Sequence, residues 1–372
     1  MKMKNEKNIL KSSVTIRGDK HYCPLPISID MYSNCEVDCH HCFLRRLNHV
    51  WGGKNMKVAD LNELKKRLIN GMKNTYPRTP IGWALFRKKT IRLGNKVDPF
   101  QPLERDLKLS LGAMKILVEL NWSFVIQTRF PSILLQDDYY QVLKSAKPGY
   151  AIVMPVISPG LDKDWNLLEK SKTDRPRKRM EVLRFLNQHG LPGGGYENGV
   201  NGEPFIPGWH TVEDFRDTVR LLKEHGIRRY NTYHLHANDY VYKRLIAIGM
   251  DIEKIWTMIQ PENWGKILSQ LLDIAKQENI ILGCPDFVNS GWNWEEKANT
   301  CCGLDVPNPC TFNTHHWKRY IQQEGYNGEQ ALEITWDHVG DWETGRVIVD
   351  GTSKVFYTLK DIITNDKRGF GL

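Results

Sequence analysis

No run of about 18 apolar residues occurs anywhere in the 372-residue chain, so the sequence holds no stretch long and apolar enough to cross a bilayer as a helix. The start, Met1-Lys2-Met3-Lys4-Asn5-Glu6-Lys7-Asn8, is basic but has no apolar core behind it, so it does not read as a secretory signal. These two absences predict a cytosolic protein. There is no low-complexity block, no flexible linker and no internal repeat beyond a strand–helix alternation. Cysteine is scarce. Eight residues are present, and none lies between Cys42 and Cys284. In a chain of this kind they read as ligands or reactive thiols rather than disulfides. Acidic residues are outnumbered, 43 Asp and Glu against 52 Lys and Arg, leaving a net charge of +9. That balance permits a polyanionic partner such as nucleic acid without requiring one. The length suits one large α/β domain with appendages, or two domains.

Of what is present, the stretch Asn34-Cys35-Glu36-Val37-Asp38-Cys39-His40-His41-Cys42-Phe43 is the most informative. Cys35, Cys39 and Cys42 form C-x3-C-x2-C. Three thiolates on one tight loop can hold three irons of a cubane cluster and leave the fourth iron open to a small chelating molecule. The alternatives are a zinc loop or three ordinary buried thiols. A zinc site would want a second cysteine pair at zinc-finger distance, and none follows. Glu36 and Asp38 read as solvated loop residues.

The loop follows a predicted strand, Pro26–Tyr32, whose residues alternate apolar and polar. Helical spacing of Leu61, Leu64, Leu68, Ile69 and Met72 comes next, with Asp60 at the start of that helix. Strands are then predicted at Thr90–Gly94, Ser123–Arg129, Tyr150–Val156, within the glycine-rich 191–208 and at Arg229–His236. Helices are predicted between them, near 109–120, 134–145, 177–189 and 212–225. This alternation implies βαβ units, a parallel sheet and a partial (β/α)6 barrel, with ligands at the carboxyl ends of the strands. The chain divides into a lead-in at 1–22, a barrel core at 23–250 and a cysteine-rich extension at 251–372. That extension has a long helical stretch interrupted near Pro261 and a small antiparallel element in the tail.

The C-x3-C-x2-C loop after a first strand resembles the signature of the radical S-adenosylmethionine (SAM) superfamily. The turn Asn95-Lys96-Val97-Asp98-Pro99-Phe100-Gln101-Pro102-Leu103-Glu104 looks like the S/T-D-P-F/Y-Q-P-x-E turn of its spore photoproduct lyase-like branch. It stands where the superfamily often has Gly-Gly-Glu, which this chain lacks. The resemblance covers about residues 23–245. It implies a [4Fe–4S] cluster on Cys35, Cys39 and Cys42 that binds SAM, reductive cleavage to a 5′-deoxyadenosyl radical, and an external electron donor such as flavodoxin or ferredoxin. SAM contacts are implied at Asn95 and Asp98, and at Arg129 in Gln127-Thr128-Arg129, where that branch has lysine. Further contacts are implied at Ser158, at Arg179 in Arg179-Met180-Glu181, and at His41, whose ring would stack on adenine. Glu203 is a candidate contact to SAM or substrate.

Outside that core, Cys284, Cys301, Cys302 and Cys310 lie in a turn-rich segment able to hold a second iron–sulfur cluster or a structural zinc. His315 and His316 are reserve ligands. Because Cys301 and Cys302 are adjacent, one of them is a candidate hydrogen-atom donor to a substrate radical. His234 and His236, alternate residues on the last predicted strand, would share one face, with Tyr233 on the other. Twelve tryptophans are expected mainly in core positions. Three functions fit: a radical SAM enzyme acting on nucleic acid or a nucleotide, a peptide- or protein-modifying radical SAM enzyme with an auxiliary cluster, and a non-catalytic metal-stabilised nucleic-acid-binding protein.

Overall fold

The computed structural model describes residues 9–10, 13–16, 25, 27–42, 56–74, 80–235, 237, 239–283 and 306–307, with three short strands between 340 and 358. Cys284, Cys301, Cys302, Cys310, His236, His315 and His316 lie outside the described residues.

Short apolar runs make the strands β1 (Val14–Ile16), β2 (Ile27–Ile29), β3 (Ile91–Leu93), β4 (Phe124–Thr128) and β5 (Ala151–Pro155), with β1 antiparallel to β2 and the rest parallel. A parallel bridge from Val156 to Asn201 carries the order onward to β6 (Val200–Asn201), β7 (Arg229–Asn231) and β8 (Ile281–Gly283), also parallel. The partial barrel is present, with seven parallel strands among the described residues where six were expected. The added strand is β8, and it lies beyond residue 250.

Helices α1 (Leu61–Lys73), α2 (Pro80–Phe86), α3 (Glu104–Leu107), α4 (Leu109–Glu119), α5 (Asp137–Ser145), α6 (Leu161–Leu167), α7 (Pro176–Gln188), α8 (Val212–Glu224), α9 (Asp239–Ile246), α10 (Ile252–Met258) and α11 (Pro261–Gln277) connect these strands. Asp60 caps α1, accepting from the Asn62 amide at 2.7 Å, which satisfies a donor the helix itself leaves open. The long stretch after 251 breaks into α10 and α11, with Pro261 opening the second. Helix α11 packs on α8 and returns the chain to form β8. Strands β9 (Gly340–Asp341), β10 (Arg346–Ile348) and β11 (Phe356–Thr358) form the antiparallel element read in the tail.

The period-2 alternation of β4 and β5 splits their side chains between two faces. Phe124, Ile126, Ala151 and Val153 join the helix-side core, while Val125, Ile152 and Met154 form a separate interior cluster. Leu25, just before β2, and Val306 complete that interior cluster. Val306 stands midway between Cys302 and Cys310, so the cysteine-rich extension contributes to the barrel's own packing. Val125 and Ile152 are second in their strands and Met154 is fourth in β5, so this plug rises from the amino ends to Gln127 beneath the carboxyl-end cavity.

Candidate functional site

Two neighbours hold the cysteine loop in place. On one side lies the turn after β3. Gly94 opens it with φ +81°, and a Cβ there would stand 2.3 Å from Pro99 Cδ. Buried Asp30 then accepts from the amides of Asn95, Lys96 and Val97 at 3.0, 2.8 and 3.3 Å. Gln101 bridges to the cysteine loop, accepting from the Glu36 amide at 2.8 Å and donating to the Asn34 carbonyl at 2.9 Å. Glu36 in turn accepts from the Leu103 amide at 2.8 Å. Beneath the turn, the buried Glu104 carboxylate accepts from both Tyr32 and Tyr139 hydroxyls and from the Ser110 and Leu111 amides.

On the other side is the connection from α6 to α7. The His40 amide donates to the Leu168 carbonyl at 2.8 Å, and Asp38, at φ +59°, pairs with Lys170 at 2.8 Å and Arg244 at 2.7 Å. Glu36 and Asp38 are therefore braces of the loop. Asp38 is partly covered by its two cations, whereas Glu36 stays exposed, as expected of a loop carboxylate, while it braces the turn.

Between these braces, at the carboxyl ends of the strands, lies a cavity of ≈ 180 Å³. One water needs only about 10–15 Å³, so the space suits a small molecule. Cys35, Cys39, Cys42 and His41 form one wall; Arg92, Asn95, Lys96 and Asp98 form another. Gln127, Arg129, Asn201, Glu203, Tyr233 and Leu235 complete it.

The three thiols are unpaired with one another. Burial, with the nearby Asp98 charge, pushes Cys35 up to about 12, and burial likewise raises Cys39. Loading metal here therefore releases protons. Among the described residues, no three His, Cys, Asp or Glu side chains are arranged around a single metal-ion position. A cubane cluster asks for something else, one thiolate for each of three irons. Three thiols lining one cavity match that donor set.

Of the residues expected to grip SAM, four line the cavity. Asn95 accepts from Arg92 Nη1 at 3.1 Å. Asp98 is already engaged, Oδ1 accepting from Thr128 Oγ1 (2.7 Å) and the Phe100 amide (3.0 Å), and Oδ2 from the Arg129 amide (2.6 Å). It ties the turn to the end of β4, and burial raises its pKa. Arg129 reaches Glu169 through Nε at 3.1 Å and His41 Nε2 through Nη2 at 3.0 Å. Burial and the adjacent Arg129 charge push His41 down to about 3, so the imidazole is neutral.

Ser158 and Arg179 are not among the cavity-lining residues. Ser158 donates to Asp164 at 2.5 Å, within a buried group that also holds His210 at 2.7 Å. Arg179 is fully buried, bonded to Glu169 at 3.1 Å, Thr173 at 2.7 Å and the Asp174 carbonyl at 2.8 Å. The structure thus does not bring these two into the cavity lining with the other four.

Tyr233 lines the cavity, whereas His234 packs edge-on against Trp264, so the two take different sides as expected, with Tyr233 on the cavity side. Arg92 and Lys96 were missed. Arg92 was legible, because a lone charge between Ile91 and Leu93 in a strand must face the interior. Glu169, which links Arg129 to Arg179, gave no signal. Of the tryptophans, Trp122 and Trp264 are core, Trp165 and Trp209 are half-buried, and Trp256 is 56% exposed.

No protein-family model matches the chain, and no curated protein does. Solved structures that are similar include Streptococcus suis SuiB bound to precursor peptide SuiA, at 14% identity and TM-score 0.46, covering 70% of this chain and 49% of that one. SuiB bound to S-adenosylmethionine gives 14%, 0.47, 71% and 52% in the same order. A spore photoproduct lyase mutant with bound AdoMet and dinucleoside spore photoproduct gives 11%, 0.48, 71% and 78%. The chain spans about half the length of SuiB.

Proposed function

We propose that this protein is a radical SAM enzyme, with Cys35, Cys39 and Cys42 holding three irons of a [4Fe–4S] cluster and SAM lying in the adjoining cavity. The observation that carries this reading is the meeting of three unpaired thiols with Arg129 in one cavity at the carboxyl ends of a parallel barrel. When bound, the cluster supplies the electron that cleaves SAM to a 5′-deoxyadenosyl radical. The chain's own residues position and shield. Arg129 offers a guanidinium suited to the SAM carboxylate. Asn95 and Glu203 offer acceptors for its ammonium and hydroxyls. Asp98 holds Arg129's backbone, and Arg179 acts through Glu169. Protein reconstituted anaerobically with iron and sulfide, then given dithionite and SAM, is expected to release 5′-deoxyadenosine. A protein that binds iron and sulfide yet releases none would reject the reading in favour of a non-catalytic, metal-stabilised binder.

For the substrate, the rim beside the cysteine loop favours nucleic acid. The connection from α6 to α7 touches the loop through Leu168 and Lys170 and exposes Lys172 and Arg175, and the first turn of α7 exposes Arg177 and Lys178. Arg175 lies 4.8 Å from the Trp165 ring centre and Lys163 lies 3.8 Å from that of Trp209. Cations interleaved with aromatic faces suit phosphates and bases. Binding of a single-stranded oligonucleotide is expected to weaken steeply with salt. Alanine at Arg177 or Lys178 should reduce the log–log slope by about one each. A flat salt dependence would remove nucleic acid.

Val306, between Cys302 and Cys310 in sequence, packs with Val125 and Ile152 of the barrel strands, and the competing reading is a peptide- or protein-modifying enzyme with an auxiliary cluster. In that reading Cys284, Cys301, Cys302 and Cys310 supply the second set of ligands. Iron analysis separates the two: about four irons per chain means one cluster and about eight means two.

A further inference from the structure

We infer that His41 carries its proton on Nδ1, held in that tautomer by Arg129, and donates it to an acceptor atom of the group bound in the cavity. The inference rests on the reading of the cysteine loop given above. It assigns His41 a role through a ring nitrogen rather than through its face.

The tautomer follows from the partner. His41 Nε2 lies 3.0 Å from Arg129 Nη2. A guanidinium has donors only, so Nε2 must accept. A neutral imidazole that accepts at Nε2 has its single proton on Nδ1. Arg129 is not free to turn away, because its Nε is held by Glu169 at 3.1 Å and its backbone amide by Asp98 at 2.6 Å. Glu169 is itself clamped by Arg179 and Thr173. The order Arg179, Glu169, Arg129, His41 thus transmits position from the buried wall to the cavity.

His41 is only 9% exposed and lines the cavity, and its Nδ1 has no hydrogen-bond partner among the described residues. A buried donor left unpaired is costly. His41 adjoins Cys42, so two acceptors are at hand once the cavity is filled: a sulfur of the cluster and an oxygen or ring nitrogen of SAM. A hydrogen bond to cluster sulfur raises its reduction potential; one to SAM tightens binding.

The tautomer can be read without metal. In the metal-free full-length protein labelled with ¹⁵N-histidine, the His41 signals, identified by their loss in His41→Phe, should show Nδ1 protonated and Nε2 bare. Arg129→Met should shift the ring toward the Nε2–H form. Protonated Nε2 in the unaltered protein overturns the inference, whether or not a cluster assembles. In the reconstituted protein, His41→Phe should do one of two things. A more negative cluster potential without SAM places the acceptor on the cluster. A SAM Kd raised about fivefold, with the potential unmoved, places it on SAM. His41→Asn, which keeps an N–H near Nδ1, should recover the affected quantity. Neither quantity changing in His41→Phe also overturns the inference. A protein that takes up no iron at all defeats the proposed function instead, and the NMR measurement still decides the tautomer.

Discussion

Alanine at Cys39 is expected to leave the chain folded and to abolish both cluster loading and SAM cleavage. Each thiolate in a C-x3-C-x2-C loop serves one iron, so losing one leaves two irons without a protein ligand where a functional site tolerates one. Iron and sulfide per chain should fall from about four toward zero, and 5′-deoxyadenosine below detection. The fold should survive because the loop's position does not depend on its sulfurs. Gln101, Glu36 and Asp38 fix it through hydrogen bonds and ion pairs that the substitution does not touch. Cys39 behaves in the metal-free chain as a small buried apolar side chain, 6% exposed, so its truncation should cost about 1 kcal/mol. Cys35→Ala and Cys42→Ala should give the same chemical loss. The check is metal analysis, reduced-state EPR and product chromatography, beside an urea melt. Full iron and normal product from Cys39→Ala would show that this loop is not the ligand set.

Features set by local chemistry were legible in the sequence, and those set by distant packing were not. The cysteine spacing, the Asp60 cap, the Pro261 break and the long apolar runs of β4 and β5 each depend on residues close in sequence, and each could be read. The turn from Asn95 to Glu104 was legible as a stiff turn. Its two carboxylates serve packing: Asp98 ties β4 to the turn, and Glu104 gathers two tyrosine hydroxyls from elements far apart in sequence. Strand β8 escaped because a three-residue apolar run after a long helix shows no period. The turn of Ser158 toward Asp164 escaped for a related reason. Ser158 lies past the end of β5, where the pleat no longer dictates direction. Glu169 sits in a run of lysines and arginines that reads as a solvated loop, and only the fold brings Arg129 and Arg179 to it.

That position carries a large expected stability effect. Glu169 is 3% exposed and lies between two guanidinium groups, Arg179 and Arg129, with Thr173 donating as well. Glu169→Gln preserves shape but removes the negative charge between a buried guanidinium, Arg179, and a partly buried one, Arg129. Breaking a buried pair from one side costs about 3–5 kcal/mol, far more than an exposed pair is worth. The acid behaviour follows from the same contacts. Burial alone would raise this carboxyl, but Arg179, then Arg129, outweighs it and pulls it down to about 2 from an ordinary 4.5. A group depressed on folding stabilises the fold above its unfolded pKa and loses that contribution as pH falls through the folded one. The native protein should therefore lose stability between about pH 4.5 and 2, and Glu169→Gln should show a shallower loss over the same window. Urea melts at pH 7 and pH 4 measure both effects. A cost below about 1 kcal/mol at pH 7 would mean that the two arginines find other partners. Adding Arg179→Gln to Glu169→Gln should recover part of the loss, because the coupled pair is then removed whole. The double variant would still leave Arg129 Nε with a neutral amide oxygen in place of its carboxylate anchor, so stability and the His41 tautomer should separate: the first partly restored, the second still disturbed.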